Sequence, residues 1–182
     1  RQFLGYSGIV VSVAYSHDGK YVVTGNDDGS IQEWDSKTGQ EVYRFTGHKS
    51  AVLMIRFSPD DKFVLSGSQD ETARLWDAST GKELQQFTGH SQIVYSVAFS
   101  PDGKSVFTAS PDGTARLWDR TTGQEIRRFP CAVTVYDVAV SPDGKSVWTI
   151  SDDGMARLWD IKPKAELPFF QDGSIVNGVA FS

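Results

Sequence analysis

The protein has 182 residues, of which 39% are hydrophobic, 12% aromatic and 23% charged, a balance that supports a packed core and excludes a disordered chain. Asp and Glu number 23 against 18 Lys and Arg, a formal charge of −5, so the basic footprint of a nucleic-acid binder is absent. No apolar run approaches the roughly 20 residues of a membrane span, and the single cysteine, Cys131, excludes an internal disulfide and makes a reducing, cytoplasmic setting the expectation.

The opening Arg1-Gln2-Phe3-Leu4 reads as the middle of a strand with no initiator methionine before it, which suggests a piece of a longer protein. A run rich in Val, Ile, Tyr and Phe follows at 9–16, and similar runs stand at 51–58, 93–100 and 134–141. Each ends in a turn: Ser-His-Asp-Gly-Lys at 16–20, Ser-Pro-Asp-Asp-Lys at 58–62, and Ser-Pro-Asp-Gly-Lys at 100–104 and 141–145. A second apolar run comes next (21–24, 63–66, 106–108, 147–149), then a turn centred on Asp-Gly or its substitute. The third run ends in Trp-Asp, as at 72–77 and 114–119, and a Thr-Gly turn leads to a fourth, such as 41–45. The fourth run alternates polar and apolar residues and is expected to be half exposed, while the first two are apolar on both faces. No segment sustains a helical period.

The whole pattern repeats. Trp34, Trp76, Trp118 and Trp159 are each followed by Asp and lie 42, 42 and 41 residues apart, with only Trp148 out of register. Gly47-His48 and Gly89-His90 keep the same spacing. Four antiparallel strands per 41–42 residues describe one blade of a β-propeller.

With these residues in view, the chain resembles the WD-repeat family. The approximate repeats are 5–46, 47–88, 89–129 and 130–170, and 171–182 is similar to the start of another. The resemblance implies an all-β propeller built from four-stranded blades, here an incomplete ring or a fragment of a larger one. It also implies a hydrogen-bonded tetrad in each blade. The matching residues are His48, Ser66, Asp70 and Trp76 in the second repeat and His90, Thr108, Asp112 and Trp118 in the third. The first repeat offers Thr24, Asp28 and Trp34 with Tyr6 in place of histidine; the fourth offers Thr149, Asp153 and Trp159 with Cys131 there. A buried indole N–H needs an acceptor, and a hydroxyl both donates and accepts.

A His, Ser and Asp set also fits a catalytic triad. Its recurrence from one repeat to the next argues for structure, because a nucleophile needs one exposed hydroxyl beside one cleft. Other departures are read as drift: Glu71 replaces a turn glycine, Lys164 another, and Glu33 stands where Leu75, Leu117 and Leu158 stand elsewhere. A carboxylate at that position is costly if buried unpaired, so the first blade is expected to be exposed or capped there. His17 reads as a solvated turn residue, and Arg127, Arg128, Lys162 and Lys164 as a solvated basic face. Asp27-Asp28-Gly29 and Asp152-Asp153-Gly154 lack the spaced carboxylates of a calcium loop. Gly81-Lys82 and Gly103-Lys104 lack the upstream glycine of a phosphate loop, and Cys131 lacks metal-ligand neighbours. No metal and no cofactor are expected.

In the WD-repeat family partners often dock on the face carrying the loops before the first strand and between the second and third. The residues that the resemblance places there are Ile9, Val11 and Asp27; Ala51, Leu53 and Gln69; Ile93, Tyr95 and Pro111; Thr134, Tyr136 and Asp152; and Ile175 with Asn177. They form either a partner-binding rim or a set that packs between blades or lines the central channel. The implied function is a non-catalytic scaffold for protein or peptide partners, binding neither nucleic acid nor membrane. The alternatives are a regulatory or sensor module attached to a catalytic or effector domain, and a propeller enzyme. An incomplete ring also leaves apolar flanks and unpaired edges, which invite self-association through its open ends; Glu33 is the one polar cap in sight.

Overall fold

A computed structural model describes residues 8–162. The first sheet contains β1 (Val10–Tyr15), β2 (Tyr21–Asn26), β3 (Ile31–Asp35) and β4 (Glu41–Phe45). The second contains β5 (Val52–Phe57), β6 (Phe63–Ser68), β7 (Ala73–Asp77) and β8 (Glu83–Phe87). In the third are β9 (Ser96–Phe99), β10 (Ser105–Ser110), β11 (Thr114–Asp119) and β12 (Glu125–Pro130). The fourth has, among the described residues, β13 (Val135–Val140), β14 (Ser146–Ser151) and β15 (Ala156–Asp160). Within each sheet every strand pairs antiparallel with its neighbours in sequence, so each sheet is a meander. Tyr6, Lys164, Ile175, Asn177 and the segment 171–182 lie outside the described residues.

The recurring turns have a recurring chemistry. After each first strand a serine hydroxyl donates to the aspartate two residues on, as in Ser16–Asp18 (2.8 Å), Ser58–Asp60 (2.7 Å), Ser100–Asp102 (2.6 Å) and Ser141–Asp143 (2.6 Å). The same serine oxygen accepts the first amide of the next strand, Tyr21, Phe63, Ser105 or Ser146. The aspartate of the Trp-Asp pair closes the third turn: Asp35 accepts the Thr38 amide at 2.7 Å and Asp119 the Thr122 amide at 2.8 Å. Such side-chain acceptors replace the ladder partners that a tight turn removes.

The first strands meet in turn, β1 with β5, β5 with β9 and β9 with β13, and among the described residues no comparable contact joins β13 to β1. Over the described residues the array is therefore open. Its apolar core lies between sheets rather than within any one of them. Val23 and Ile31 of the first sheet pack on Val52, Ile55 and Phe57 of the second. Leu65 and Leu75 pack on Val94 and Val97 of the third, and Phe107 and Leu117 on Val135 and Val138 of the fourth. The fourth strands are more exposed than their alternation implies. In β4 only Phe45 is buried, because no further strand covers the outer edge and the apolar residues Val42 and Tyr43 stay 39% and 37% exposed.

Three expectations are corrected. Glu33 is not exposed and does not cap an open end: it is buried, on the side of β3 that meets the second blade, where Leu75 and Leu117 occupy the same position in later junctions. His17 is not simply solvated. Asp61, held at a φ of 58°, accepts the His17 amide (2.8 Å), the His17 ring Nδ1–H (2.7 Å) and the Asp18 amide (3.0 Å), tying the first two blades at their turns. Arg127 is half-buried rather than part of a free basic face, because its guanidinium donates to the carbonyls of Asp160 and Ile161 in the fourth blade and lies over the Phe129 ring.

Candidate functional site

The second and third blades assemble the tetrad in full. Trp76 Nε1–H donates to Ser66 Oγ (2.9 Å), Ser66 Oγ meets His48 Nε2 (2.7 Å), and His48 Nδ1 meets Asp70 Oδ2 (2.9 Å). In the third blade Trp118 donates to Thr108 (2.9 Å), Thr108 meets His90 Nε2 (2.7 Å), and His90 Nδ1 meets Asp112 (2.7 Å). Burial lowers the pKa of His90 against the pull of Asp112, so its ring is neutral. A neutral ring gives one consistent proton order: indole to hydroxyl, hydroxyl to Nε2, and Nδ1–H to carboxylate. Burial opposes ionisation of Asp70 and Asp112, but hydrogen bonds from the histidines and from Thr72 or Thr114 outweigh it and lower both, Asp70 to well below the usual carboxylate range.

The connectivity is that of a Ser-His-Asp triad, but the hydroxyl cannot act as a nucleophile. Ser66 and Thr108 are fully buried, and each oxygen is already occupied by the indole N–H. Among the described residues no group of three or more His, Cys, Asp or Glu is placed to hold a metal ion. In the first blade Trp34 still donates to Thr24 (3.1 Å), while Asp28 accepts the Ser30 amide (2.8 Å) and hydroxyl (2.7 Å). In the fourth, Trp159 donates to Thr149 (3.0 Å) and buried Cys131 brings its sulfur to 3.5 Å from that hydroxyl, filling the histidine position.

The sequence reading missed the outer part of this network. Arg116 bonds Asp112 (3.0 Å) and Glu125 (3.0 Å), and Arg74 bonds Glu83 (2.6 Å) with Asp70 at 3.8 Å. The signal was present as Arg-Leu-Trp-Asp at 74–77, 116–119 and 157–160. In the first repeat Gln32 takes the arginine's place and donates to Glu41 (2.5 Å); in the fourth Arg157 pairs with Asp153.

The rim residues gather at one end of the strands, where β2–β3 turns and the connections into each first strand lie. A break of register marks each well-formed first strand there: between Val10 and Ser12, between Val52 and Met54, and between Val135 and Asp137. The residues left over at these bulges are Val11, Leu53 and Tyr136, and a bulge re-aims the side chain it carries. Tyr95 holds the equivalent place before β9. Its ring centroid is 5.7 Å from that of Tyr136, and the Tyr136 hydroxyl donates to Asp152 (2.9 Å), which raises the phenol's pKa. Asp27 accepts the amide of Ile9 (3.1 Å), and Gln69 accepts the hydroxyl of Ser50 (3.1 Å). Ile9, Val11, Asp27, Gln69, Tyr136 and Asp152 are exposed, whereas Leu53, Ile93, Tyr95, Pro111 and Thr134 are half-buried. Ala51 departs from the expected rim and is buried: its carbonyl closes onto the Gln69 amide (2.9 Å), and a methyl group is too short to stand clear of that closure.

Comparison with known proteins agrees with this geometry. The crystal structure of the computationally designed Ika4 protein is similar at 31% sequence identity and a TM-score of 0.79, covering 88% of this chain and 96% of that one. The family described as WD domain, G-beta repeat matches residues 1–35, 39–77, 81–119 and 123–160. Four Trp-Asp periods, four antiparallel sheets and two complete His-hydroxyl-Asp-Trp networks are thus the marks of one lineage, and this chain belongs to the WD-repeat family.

Proposed function

We propose that the chain is a non-catalytic platform whose rim at Val11, Leu53, Tyr95, Tyr136 and Asp152 takes a protein or peptide partner. WD-repeat domains generally serve as interaction scaffolds. The observation that carries the rim is the run of bulges: three first strands break register at the residue that faces this end, presenting apolar and aromatic side chains beside the Asp152 carboxylate. Tyrosine is a frequent interface anchor, with a rigid ring and a polar tip. The formal charge of −5 favours a neutral or basic protein surface over nucleic acid or an anionic membrane. A lone buried thiol suits a reducing, cytoplasmic setting. A peptide library selected on the immobilised protein tests the rim. Selected peptides should lose binding to a Tyr95→Ala/Tyr136→Ala variant whose thermal midpoint is unchanged. If the variant unfolds, the two rings belong to the core and the rim assignment fails.

A second reading, self-association, is favoured by the flanks of the array. On the first blade Val13 and Tyr15 are 59% and 63% exposed, and on the fourth Trp148 and Leu158 are 45% and 56% exposed. These are the positions that, at the internal junctions, form the two halves of the interface between blades: Ile55 and Phe57 on one side, Leu65 and Leu75 on the other, all buried. The flanks of two copies are therefore chemically complementary. Light scattering over a dilution series checks this: association should weaken with Val13→Asp or Trp148→Asp, and a monomer at every concentration would remove the reading in favour of further blades or a different partner covering the flanks.

A further inference from the structure

At the opposite end of the strands from the tyrosine rim, a cavity of about 410 Å³ opens between the first and second blades. Its walls include Tyr21, Val42, Tyr43 and Phe63, and Glu33 lines its floor. Glu33 stands opposite Val23 on β2 and Tyr43 on β4, is only 2% exposed, and has no hydrogen-bond partner for its Oε2. The fold does not require a carboxylate there. The cavity between the third and fourth blades has Leu117 in the corresponding place.

The other charged groups around the cavity are already engaged. Asp61 is turned to His17 and the Asp18 amide, and the Lys62 ammonium lies 3.4 Å from Asp60. Asp77 accepts the amide (2.9 Å) and hydroxyl (2.7 Å) of Ser79, and the Arg120 guanidinium sits over one face of the Phe63 ring at 4.3 Å. Arg44 and Glu41, on the neighbouring strand, pair with each other at 2.8 Å. Glu33 is the buried carboxyl group that these pairings leave with an unpartnered oxygen, in a cavity within the size range of small-ligand sites, roughly 300–1,000 Å³.

We propose that this cavity binds a primary ammonium on a short apolar body, with the cation against Glu33 and the body against Tyr21, Tyr43 and Phe63. A carboxylate withdrawn from water gains most from a cation that enters with it, and aromatic faces attract an ammonium as well as an alkyl chain. Burial raises the pKa of Glu33 to about 7, so at neutral pH the group passes easily between an empty, protonated state and an ion-paired one. Both a free amine and a lysine side chain of a partner protein offer this chemistry. The site is separate from the tyrosine rim, so the two assignments stand or fall independently.

The test is a titration of the full chain at pH 8 followed by amide shifts in NMR, with n-butylammonium, N-acetyl-lysine methylamide and, as the neutral control, n-butanol. The two ammonium compounds should shift the amides of Tyr21, Glu33, Tyr43 and Phe63 saturably, with n-butylammonium at least about tenfold tighter than n-butanol. Binding should weaken about tenfold or more at pH 5, where Glu33 is protonated. Glu33→Leu installs the residue of the other repeats and should keep the fold while abolishing ammonium binding; Glu33→Gln should do the same and decides the matter if the leucine variant unfolds. Binding of the lysine compound equal to that of n-butylammonium assigns the site to a partner's lysine, and binding of n-butylammonium alone assigns it to free amines. Equal affinity for n-butanol, no binding of either ammonium, or binding unchanged in both variants overturns the proposal.

Discussion

The first three blades and the fourth carry nearly the same sequence pattern, yet the Trp-Asp strand is buried in the three and open in the fourth. Trp76 and Trp118 are buried, while Trp159, with the same indole-to-threonine bond, is only half-buried. The Asp112 side chain is buried and bonded to His90 and Arg116; Asp153 is exposed and held by Arg157 alone among charged groups. The motif sets local geometry in every blade, but burial is conferred by the next blade. Stability in such an array resides in the junctions as much as in the repeats.

If that is right, equivalent substitutions should cost more inside the array than at its flank. The largest effect is expected for tryptophan. Trp118→Ala should destabilise by about 3–5 kcal/mol, because it empties a filled junction and orphans Thr108. Trp159→Ala should cost about half as much, since part of its ring already faces water. Urea midpoints compare the two, and equal losses would mean that burial by the neighbour contributes little. Next comes the carboxylate: Asp112→Ala should cost about 1–3 kcal/mol by stranding His90 and Arg116, while Asp153→Ala and the exposed turn variant Lys104→Ala should change little.

Acid and base should act on different junctions. Asp112 has a pKa held below its unfolded value, so its stabilisation is full above the ordinary carboxylate range and is lost as pH falls through it. His90, whose pKa burial lowers, adds to the loss: below its ordinary value of 6.5 the unfolded chain takes up a proton that the folded one resists. Glu33 has the opposite sign. Its pKa is raised from 4.5 to about 7, so its folded state is favoured below 4.5 and the advantage disappears as pH rises to 7. Glu33→Leu should therefore stabilise by about 1–3 kcal/mol at pH 8 and much less at pH 4. A gain that does not vary between those pH values would show that leucine packing, not charge burial, accounts for it.

Much of the fold was legible because the repeat states it four times. Trp-Asp spacing marked the blades, the Ser-x-Asp turns marked the first hairpins, and the resemblance to the WD-repeat family implied the tetrads. What stayed hidden depends on partners distant in sequence. The burial of Glu33 follows from the second blade packing against β3, and the His17–Asp61 contact joins two turns 44 residues apart. The bulges at Val11, Leu53 and Tyr136 were also invisible, because a register shift of one residue leaves composition unchanged. Arg74 and Arg116 were on the page in plain repetition, and only their partners Glu83 and Glu125 show why they recur.

The smallest prediction concerns a feature that should not depend on neighbours at all. The turn after each second strand places one residue in the left-handed region: Gly29, Gly113 and Gly154 have φ values of 85°, 84° and 75°, and Glu71 has 68°. A side chain there costs roughly 1–2 kcal/mol relative to glycine, while glycine returns part of the gain through the freedom it restores to the unfolded chain. Glu71→Gly should thus stabilise by about 0.5–1 kcal/mol. The reverse change, Gly113→Glu, should cost a similar amount, since an added Cβ meets nothing nearer than 3.6 Å. Gly154→Glu, in the open fourth blade, has nothing within 4 Å and should cost the same again. Strain of this kind belongs to the backbone of the turn, so interior and flank should agree here even though they differ for tryptophan and aspartate. A Gly154 variant that loses much less than the Gly113 variant would show that the fourth blade's turn already relaxes away from this geometry, and that the open flank loosens local structure as well as exposing it.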